Sequence, residues 1–500
     1  MNKFRKILLL LPLLSVLTVS GVRAQAQTAR EISSVDLVTA GENMPHPAWL
    51  FNEDLLGYQL CKGNMSITLS HEEGIGSVYL IFNVSHGPFR VLNNDDGQEC
   101  ICGEENFLHD YVDITEKFGQ APGSITIQFG DKGVQLNELR VFTEGEPPRD
   151  VQRWKRAPED GVDLLVFPAH GDDEQLFFAG MLPWYAGEKG YEVQVAYSTD
   201  HHNYGTVRPH EMLNGLWEVG VTNYPVFGPF PDFLTENEYN ALQSIKPAGY
   251  EEADVLSYVV EQIRRFRPLV VAGHDLDGEY GHGFHRLYGR MVTEAAGISM
   301  DPEQFPESAE KYGTWDVPKT YVHLYPQNTI HMNWDIPTKR FDGMTAYEVC
   351  KNRGYPAHKS QYRGFAWYFA GFETADSIPE NGPCDFGLYR STVGPDMNRD
   401  DLFENLLCRK EMQEREAAER LAREAEQQRQ KAEQLKKKKE AEEKAEAEAA
   451  SREADRVTQM QQTREAELRR QKDRALFACG AAGISALALL MMIIFRKVRK

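Results

Sequence analysis

The stretch Val162-Asp-Leu-Leu-Val-Phe-Pro-Ala-His-Gly-Asp-Asp-Glu-Gln-Leu-Phe177 decides the fold, because an apolar strand pattern runs through a short turn into a helix start. The turn carries four side chains of metal-binding types: His170, Asp172, Asp173 and Glu174. In an open α/β sheet, ligands bind just beyond the carboxyl ends of such strands. A simpler interpretation is that Asp172 or Asp173 only caps the helix that begins near Glu174.

Strands and helices alternate after this stretch, which predicts a mostly parallel, Rossmann-like sheet and an α/β domain over residues 160–400. Further strands are expected at residues 191–197 and 268–273, with an edge strand at 321–325. The predicted helices cover residues 175–187, 208–219, 253–266, 282–296 and 343–352. The chain has no Gly-x-Gly-x-x-Gly turn, so a dinucleotide is not inferred.

A second strand-to-helix loop, residues 274–285, is also rich in ligand-type side chains. The strands that open successive βα units point the same way, so this loop and the first one are expected to meet at one edge of the sheet. His282 and His285 are three residues apart at a helix start and can face the same side. A catalytic zinc site needs three protein ligands and an open position, and the two loops together can supply them.

Several separated motifs point to one family. Ala169-His-Gly-Asp-Asp-Glu174 and Gly281-His-Gly-Phe-His285 resemble the two signature motifs of the PIG-L (LmbE-like) zinc-dependent N-acetylglucosaminyl deacetylases. Between them, Arg208-Pro-His-Glu211, Trp217-Glu-Val-Gly220 and Phe230-Pro-Asp232 are similar to further family segments, in the family's order. The resemblance covers roughly residues 160–365.

The resemblance implies a role for each matching residue. By this resemblance, Zn²⁺ would be bound by His170, Asp173 and His285, and Asp172 would be the general base that activates the metal-bound water. His282 would steady the oxyanion or protonate the leaving amine, and Tyr280 would polarise the amide carbonyl. The sugar would be contacted by Arg208 and Asp232. The chemistry is consistent, because zinc lowers the pKa of a bound water to about 7. A neighbouring donor can then offset the charge of the tetrahedral intermediate.

Three positions depart from the family's common pattern. Gly171 stands where the first motif usually has Pro, and Gly283 and Phe284 replace Pro-Asp in the second. Phe284 removes a carboxylate that could support the last ligand, and such losses cost about 10- to 100-fold in affinity or activity. Glu279 is a candidate to compensate for this loss.

Residues 50–147 show short alternating runs separated by turn residues, without helical stretches. This pattern predicts an all-β sandwich. The run that ends at residues 137–145 resembles galactose-binding-like jelly-roll modules. Such a module either binds sugar or serves as a spacer. A polar linker is expected from Pro147 to Glu159.

Both ends of the chain indicate a membrane protein. Residues 1–26 have the basic, apolar and small-residue regions of a secretory signal peptide, with an uncleaved anchor as the alternative. Residues 475–495 are apolar enough to span a bilayer, and the basic tail 496–500 is expected to stay in the cytoplasm. We therefore expect a single-pass cell-membrane protein with its N-terminal bulk extracytoplasmic.

Residues 401–474 contain no Gly or Pro and are dominated by charged residues and Ala. Glu and Arg or Lys recur four positions apart, which favours a long solvated helix. Such a helix would be about 110 Å long and would act as a coiled-coil-like stalk, with self-association through a short apolar seam as one option.

Charge and cysteine content limit the partners. The net charge of −20 argues against nucleic acid as the main ligand. Seven cysteines are compatible with an extracytoplasmic location. Disulfides from Cys61 to Cys100 or Cys102, and from Cys350 to Cys384, are conceivable, but connectivity cannot be derived from sequence.

Three functions follow as hypotheses. The first is a membrane-anchored extracytoplasmic zinc hydrolase that removes acetyl from an N-acetylglucosamine-type sugar in a glycan or glycoconjugate. The alternative is a catalytically weak or inactive carbohydrate-binding surface protein. The third is a stalked adhesin or scaffold in which the helix and the sandwich matter most.

Overall fold

The structure is a computed structural model that describes residues 27–55, 57–199 and 207–498, without the side chain of Cys61. The predicted signal peptide and the last two residues of the basic tail lie outside the described residues. The chain divides into two compact units, Met1–Met412 and Gln413–Lys500.

The strands are β1 Val38–Glu42, β2 Gln59–Cys61, β3 Ser66–Ser70, β4 Ser77–Phe82, β5 Phe89–Asn93, β6 Glu99–Cys102, β7 His109–Asp113, β8 Ser124–Phe129, β9 Val134–Phe142, β10 Leu164–Phe167, β11 Val193–Val195, β12 Val270–Gly273, β13 Lys319–His323, β14 Thr329–His331 and β15 Asp385–Ser391. The α-helices are α1 Ile114–Phe118, α2 Asp173–Leu176, α3 Val207–Glu218, α4 Glu238–Ile245, α5 Glu252–Phe266, α6 Gly283–Ile298, α7 Pro306–Tyr312, α8 Ala346–Val349, α9 Tyr362–Phe369 and α10 Arg409–Lys497.

The first nine strands form two antiparallel sheets, in the orders β1-β3-β8-β5-β6 and β2-β9-β4-β7. Their facing side chains share one apolar core; Ile67 of β3 and Leu80 of β4 both belong to it. We call this region the β module. The two-layer all-β organisation agrees with the sequence pattern, whereas its likeness to galactose-binding modules stays a prediction.

The outer face of β4 in the β module is also buried, because it packs towards the α/β domain. Tyr79 of β4 lies with its hydroxyl 2.7 Å from His109 Nδ1, and His109 Nε2 lies 2.8 Å from His210 Nδ1 on α3. All three side chains are at most 1% exposed. The predicted polar linker takes part in this packing, since Val151 and Trp154 are buried. The linker is therefore a packed element.

The α/β domain is built on a six-stranded sheet in the order β11-β10-β12-β13-β15-β14. The pairs β10/β11, β10/β12 and β12/β13 are parallel, and β15 runs antiparallel to β13 and β14. The predicted α/β class is confirmed. The prediction of an edge strand at 321–325 is wrong, because β13 lies between β12 and β15. The antiparallel strand β15 was not predicted, and its pairing covers the side of β13 that was expected to be free.

Both faces of this sheet are covered, as expected for parallel strands with apolar residues in succession. Leu164 and Val166 of β10 point into one core, and Leu165 and Phe167 point into the other. This two-sided burial explains why β10 lacks a polar–apolar alternation. It also fixes the strand's carboxyl end, from which the first ligand-rich turn departs.

The helix expected at 175–187 is interrupted. The structure has the short helix α2 and a separate π-helical turn, Pro183–Glu188. Gly180 lies between them with φ of 92°, a conformation that favours glycine. The ring of Trp334 packs against Gly180 so closely that a Cβ would lie 2.4 Å from Trp334 Cγ. This contact ends the helix where sequence periodicity would continue it.

Helix α10 starts at Arg409, later than the stalk predicted from residue 401. Leu402 and Phe403 are buried in the core of the α/β domain, so the folded part continues past residue 400. Every described residue of α10 is exposed or partly exposed. The helix contains one segment that is long and apolar enough to cross a membrane, with a mean hydropathy of 2.3.

The cysteines with described side chains are free thiols: Cys100, Cys102, Cys350, Cys384, Cys408 and Cys479. The side chain of Cys61 lies outside the described part of the chain, so its predicted pairing is not tested. Cys350 is buried and its sulfur accepts the N–H of Gly180, while Cys384 is buried elsewhere in the same domain. The structure therefore contradicts a Cys350–Cys384 disulfide. The sulfurs of Cys100 and Cys102 lie 3.7 Å apart as thiols on β6.

Candidate metal centre

The two ligand-rich loops leave the sheet side by side. Phe167, the last residue of β10, is paired with Gly273, the last residue of β12, and the two strands are parallel. One loop then enters α2 and the other enters α6. Because the strands end in register, side chains from both loops converge at the same edge of the sheet.

His170, Asp173 and His285 form the closest group. His170 Nδ1 lies 3.1 Å from His285 Nε2 and 3.2 Å from Asp173 Oδ2, and His285 Nε2 lies 3.3 Å from that same oxygen. Zinc bonds to nitrogen and oxygen are about 2.0–2.1 Å long, which separates the ligand atoms of a tetrahedral site by about 3.3–3.4 Å. The triangle of donor atoms is therefore of the size that one tetrahedral ion requires.

The proton on His285 supports the same assignment. His285 Nδ1 lies 2.7 Å from Glu279 Oε2, so Nδ1 donates and Nε2 keeps its lone pair. His170 Nε2 is buried without a hydrogen-bond partner among the described residues and lies 3.7 Å from Asp232 Oδ1. The lone pair on His285 Nε2 and the carboxylate oxygen of Asp173, 3.3 Å apart, repel unless a cation lies between them. The donor set thus fits a divalent metal ion.

Two further histidines are close, but their lone pairs are used within the protein. His274 Nε2 accepts the N–H of Ala169 at 2.9 Å, and its Nδ1 donates to Glu279 at 2.8 Å. His282 Nδ1 accepts the N–H of Phe284 at 3.1 Å, which leaves the proton on Nε2. His170, His282 and His285, and likewise Asp173, His274 and His285, each bring three possible ligand atoms within 4.8 Å of one another. Because His274 and His282 use their lone pairs within the protein, the triangle is the candidate ligand set.

Glu279 is the central supporting group. Its carboxylate is fully buried and accepts hydrogen bonds from His274, His285 and His323, the last at 2.7 Å. Burial alone would raise the pKa of Glu279, but the adjacent histidines, His274 above all, hold that pKa well below its usual range. Glu279 thus supplies the carboxylate that Phe284 does not.

The two aspartates of the first turn have different environments. Asp172 occupies the N-cap position of α2, but its side chain makes no capping hydrogen bond, so the capping interpretation does not account for it. Burial, reinforced by the charge of Asp173 and opposed by Arg208, raises the pKa of Asp172 to about 6. Burial would also raise the pKa of Asp173, but His285, His170 and His274 keep that pKa well below its ordinary value.

Arg208 and Asp232, the residues expected at the sugar, lie beside the metal triangle. Arg208 on α3 is 2% exposed; it donates to the Gly171 carbonyl at 2.6 Å and lies 3.4 Å from Glu211 Oε2. The guanidinium therefore supports the backbone of the first turn. Asp232 is 8% exposed and lies near His170, as described above.

Tyr280 and His282 lie next to the triangle from the second loop. Tyr280 is 42% exposed and has a left-handed backbone with φ of 45°, and its N–H donates to Asn381 Oδ1 at 3.2 Å. His282 is 4% exposed, and its ring lies 4.7 Å from that of His170 and 4.5 Å from that of His285. Burial lowers the pKa of His282. The side chain is thus a neutral imidazole with its proton on Nε2.

The structure explains the departures from the family's motifs. A Cβ on Gly283 would lie 2.1 Å from the carbonyl oxygen of Asn237, and the Gly283 N–H donates to Thr235, so Pro is excluded there. Phe284 is fully buried in the core below the site, where a carboxylate would be unpaired. At Gly171, the three atoms nearest to a Cβ would all belong to the flexible side chain of Met212.

Sequence reasoning missed three supporting residues. His323 on β13 reaches Glu279 across 44 positions of chain, and His358 Nε2 lies 2.9 Å from Glu174 Oε1 across 184 positions. Both members of the latter pair are fully buried. His274, in contrast, stands at a strand end in the same loop as Glu279, and that position was a usable signal.

Comparison with known proteins gives a concordant result. The PIG-L family model, described as GlcNAc-PI de-N-acetylase, matches residues 165–296. The 1D-myo-inositol 2-acetamido-2-deoxy-alpha-D-glucopyranoside deacetylase of Streptomyces scabiei is 28% identical over 190 residues, which cover 34% of this chain and 58% of that protein. The protein of the same name from Rhodococcus opacus is 31% identical over 183 residues, covering 32% and 60%. The chain thus spans less than two thirds of the length of these relatives.

Among solved structures, the N,N'-diacetylchitobiose deacetylase from Pyrococcus horikoshii is similar, with 14% identity, a TM-score of 0.31, and coverage of 45% of this chain and 83% of that chain. The family match includes the first turn, the second loop and the strands that carry them. The PIG-L family model therefore matches the part of this chain that carries both ligand-rich loops.

Proposed function

We propose that this protein is a zinc-dependent hydrolase that removes the acetyl group from an N-acetylglucosamine-type sugar. The observation that carries the proposal is the triangle formed by His170 Nδ1, Asp173 Oδ2 and His285 Nε2, each 3.1–3.3 Å from the next. The similar proteins named above are deacetylases of a 2-acetamido-2-deoxy-glucopyranoside. An N-acetylated glucosamine unit in a glycan or glycoconjugate is accordingly the substrate class we infer.

The reaction adds water across an amide: the C–N bond of the acetamido group breaks, and acetate and a free amine leave. A zinc ion held by the triangle would supply Lewis acidity, which makes water a usable nucleophile near neutral pH. Asp172 accepts the proton that the attacking water loses. Its pKa, raised to about 6 by burial, suits a general base that works near neutrality.

The remaining groups stabilise charge and deliver the proton. His282 carries its proton on Nε2, so it donates to the developing oxyanion or to the leaving amine. The half-exposed Tyr280 beside it presents a hydroxyl to the acetamido carbonyl. Arg208 holds the first turn in place through its hydrogen bond to the Gly171 carbonyl. We infer that Arg208 and Asp232 also line the sugar pocket.

The decisive experiment measures acetate released from a panel of N-acetylated glycans by the full chain, with and without chelator. Asp172→Asn should keep its zinc and lose about 10²- to 10⁴-fold in acetate release, because only the proton acceptor is removed. The exposed carboxylate of Asp277, in the second loop, offers the matched control: Asp277→Asn should resemble the unaltered protein. A folded, zinc-loaded protein that binds glycans but releases no acetate would instead favour the carbohydrate-binding alternative.

We further propose that residues 475–495 anchor the protein and that its N-terminal bulk is extracytoplasmic. The apolar segment of α10 and the basic residues 496–500 that follow it support this topology. The β module would then face the same compartment as the catalytic domain, where a galactose-binding-like fold could contact the same glycan. Protease added outside intact cells should digest the folded region, and full protection of that region would contradict the topology.

A further inference from the structure

A second group of metal-type side chains lies outside the catalytic centre. His331 at the end of β14, Asp376 in the turn Ala375–Ser377, and Cys384 and Asp385 at the start of β15 form this group, which we call the His331 cluster. One ligand atom from each of His331, Asp376 and Cys384 lies within 4.8 Å of the other two. These residues share no ligand with the catalytic triangle.

The distances within the cluster resemble those of a metal site with a supporting carboxylate. His331 Nε2 lies 3.3 Å from Asp376 Oδ1, close to the donor spacing of about 3.3–3.4 Å in a tetrahedral zinc site. His331 Nδ1 lies 2.8 Å from Asp385 Oδ1. A carboxylate that accepts the second ring N–H of a metal-binding histidine is the usual companion of such a ligand, and Glu279 makes the same contact with His285.

The surrounding structure holds these donors in place. The carboxylate of Asp335 accepts the N–H of Ala375 through both oxygens, at 3.0 and 3.1 Å, which fixes the turn that carries Asp376. The carbonyl of Cys384 accepts the N–H of Met332 at 2.7 Å, which ties the two strands together next to His331. The cluster is therefore preorganised by backbone contacts and does not depend on flexible side chains alone.

We propose that the His331 cluster is a second zinc site, with His331, Asp376 and Cys384 as protein ligands and one open position. One nitrogen, one carboxylate oxygen and one sulfur are a donor set that zinc accepts readily, whereas magnesium and calcium prefer oxygen alone. When the ion binds, the thiol of Cys384 releases its proton to solvent and the thiolate forms the bond to the metal. Asp385 stays on His331 Nδ1 as the supporting carboxylate.

The site would act on residues 381–384, which are hydrogen-bonded to residues beside the catalytic centre. Gly382, two residues before Cys384, accepts a hydrogen bond from His323 Nε2 at 2.9 Å, and Asn381 receives the N–H of Tyr280. A metal ion bound to Cys384 would fix one end of this segment. The inferred role is therefore structural support beside the catalytic pocket, and the site does not depend on the proposed catalytic activity.

The test counts metal on the full chain after chelator treatment and titration with zinc. We expect two equivalents for the unaltered protein, one for Asp376→Asn and one for His170→Ala, because each variant removes a different site. The Asp376 side chain is 72% exposed, so its substitution should not disturb folding. No zinc bound to His170→Ala, or two equivalents in Asp376→Asn, would overturn the proposal.

Cobalt substitution identifies the sulfur ligand. The cobalt-loaded full chain and its His170→Ala variant should both show a thiolate-to-cobalt charge-transfer band, and Cys384→Ser should lose it. Cys350→Ser is the matched control, because Cys350 is another buried thiol of the same domain and lies outside the cluster. A band that persists in Cys384→Ser, or its absence from the unaltered protein, would contradict the assignment. These readouts do not require turnover, so failure here is distinguishable from failure of the deacetylase proposal.

Discussion

His285 Nδ1 lies 2.7 Å from Glu279 Oε2, and this contact determines which ring nitrogen of His285 can bind a metal. Because Nδ1 must donate to the carboxylate, the lone pair on Nε2 points towards His170. The same carboxylate also accepts from His274 and His323, so one buried charge orients three imidazoles.

Replacing Glu279 with Gln should weaken zinc binding about 10- to 100-fold, because the amide cannot accept hydrogen bonds from all three histidines. Buried donors left unpaired should also lower the free energy of unfolding, by about 1–3 kcal/mol for each. A competition titration against a chromogenic chelator measures the first effect, and denaturant unfolding the second. Glu261→Gln, a surface substitution on α5, is the control. Equal zinc affinity in Glu279→Gln and the unaltered protein would show that Glu279 does not orient the ligand.

Gly283→Ala should destabilise the protein by about 1–3 kcal/mol or more, because the new Cβ overlaps the backbone of Asn237 and cannot be relieved by a side-chain movement. Gly171→Ala is the matched comparison, since its Cβ meets the flexible Met212 and should cost less. Thermal unfolding of both variants gives the difference. A smaller loss in Gly283→Ala than in Gly171→Ala would contradict the packing described for α6.

Tyr280→Phe should lower kcat about 10²- to 10³-fold while KM and zinc content change little, because the hydroxyl would act only on the developing charge. This prediction rests on the proposed deacetylase activity and is measured with the best substrate of the glycan panel. Tyr239→Phe, which removes an exposed hydroxyl from α4, should leave kcat unchanged. A normal kcat in Tyr280→Phe would show that the Tyr280 hydroxyl takes no part in the reaction.

The sequence was informative where chemistry is local. The ligand-rich turns at 170–174 and 274–285 each follow one strand, and adjacent parallel strands bring such turns together, so their convergence was predictable. The choice of His170, Asp173 and His285 as ligands came from the resemblance to the PIG-L motifs. The hydrogen bonds that support the triangle were not predictable from sequence. His323 reaches Glu279 from β13, and the position of β13 in the sheet, beside the antiparallel strand β15, was not predicted. The hydrophobic periodicity of a helix or strand shows which of its faces is buried, but it does not show which other elements pack against that face.

Asp110 in the β module should make stability depend on pH. It is 9% exposed, and burial, with the nearby charge of Glu105, raises its pKa from 3.8 to about 7. The folded state therefore binds more protons than the unfolded state between these values. The free energy of unfolding should fall as pH rises from about 4 to about 7 and then level off.

Asp110→Asn should remove this contribution. Relative to the unaltered protein, the variant should gain up to about 4 kcal/mol of stability between pH 4 and pH 8, since the pKa shift spans about three units and each corresponds to about 1.4 kcal/mol. Denaturant unfolding at several pH values measures the gain. Asp131→Asn, in an exposed turn of the same module, should follow the unaltered protein throughout. Parallel curves for Asp110→Asn and the unaltered protein would mean that Asp110 does not titrate as described.

The hydrogen-bonded chain from Tyr79 through His109 to His210 has a thermodynamic consequence. It crosses from the β module into α3, the helix that also carries Arg208, and every member is buried. Separating the two regions would leave these polar atoms without their hydrogen-bond partners and would expose Trp154 to solvent. The module and the α/β domain should consequently melt in one cooperative transition, and a protease that cuts near residue 150 should leave the two pieces associated.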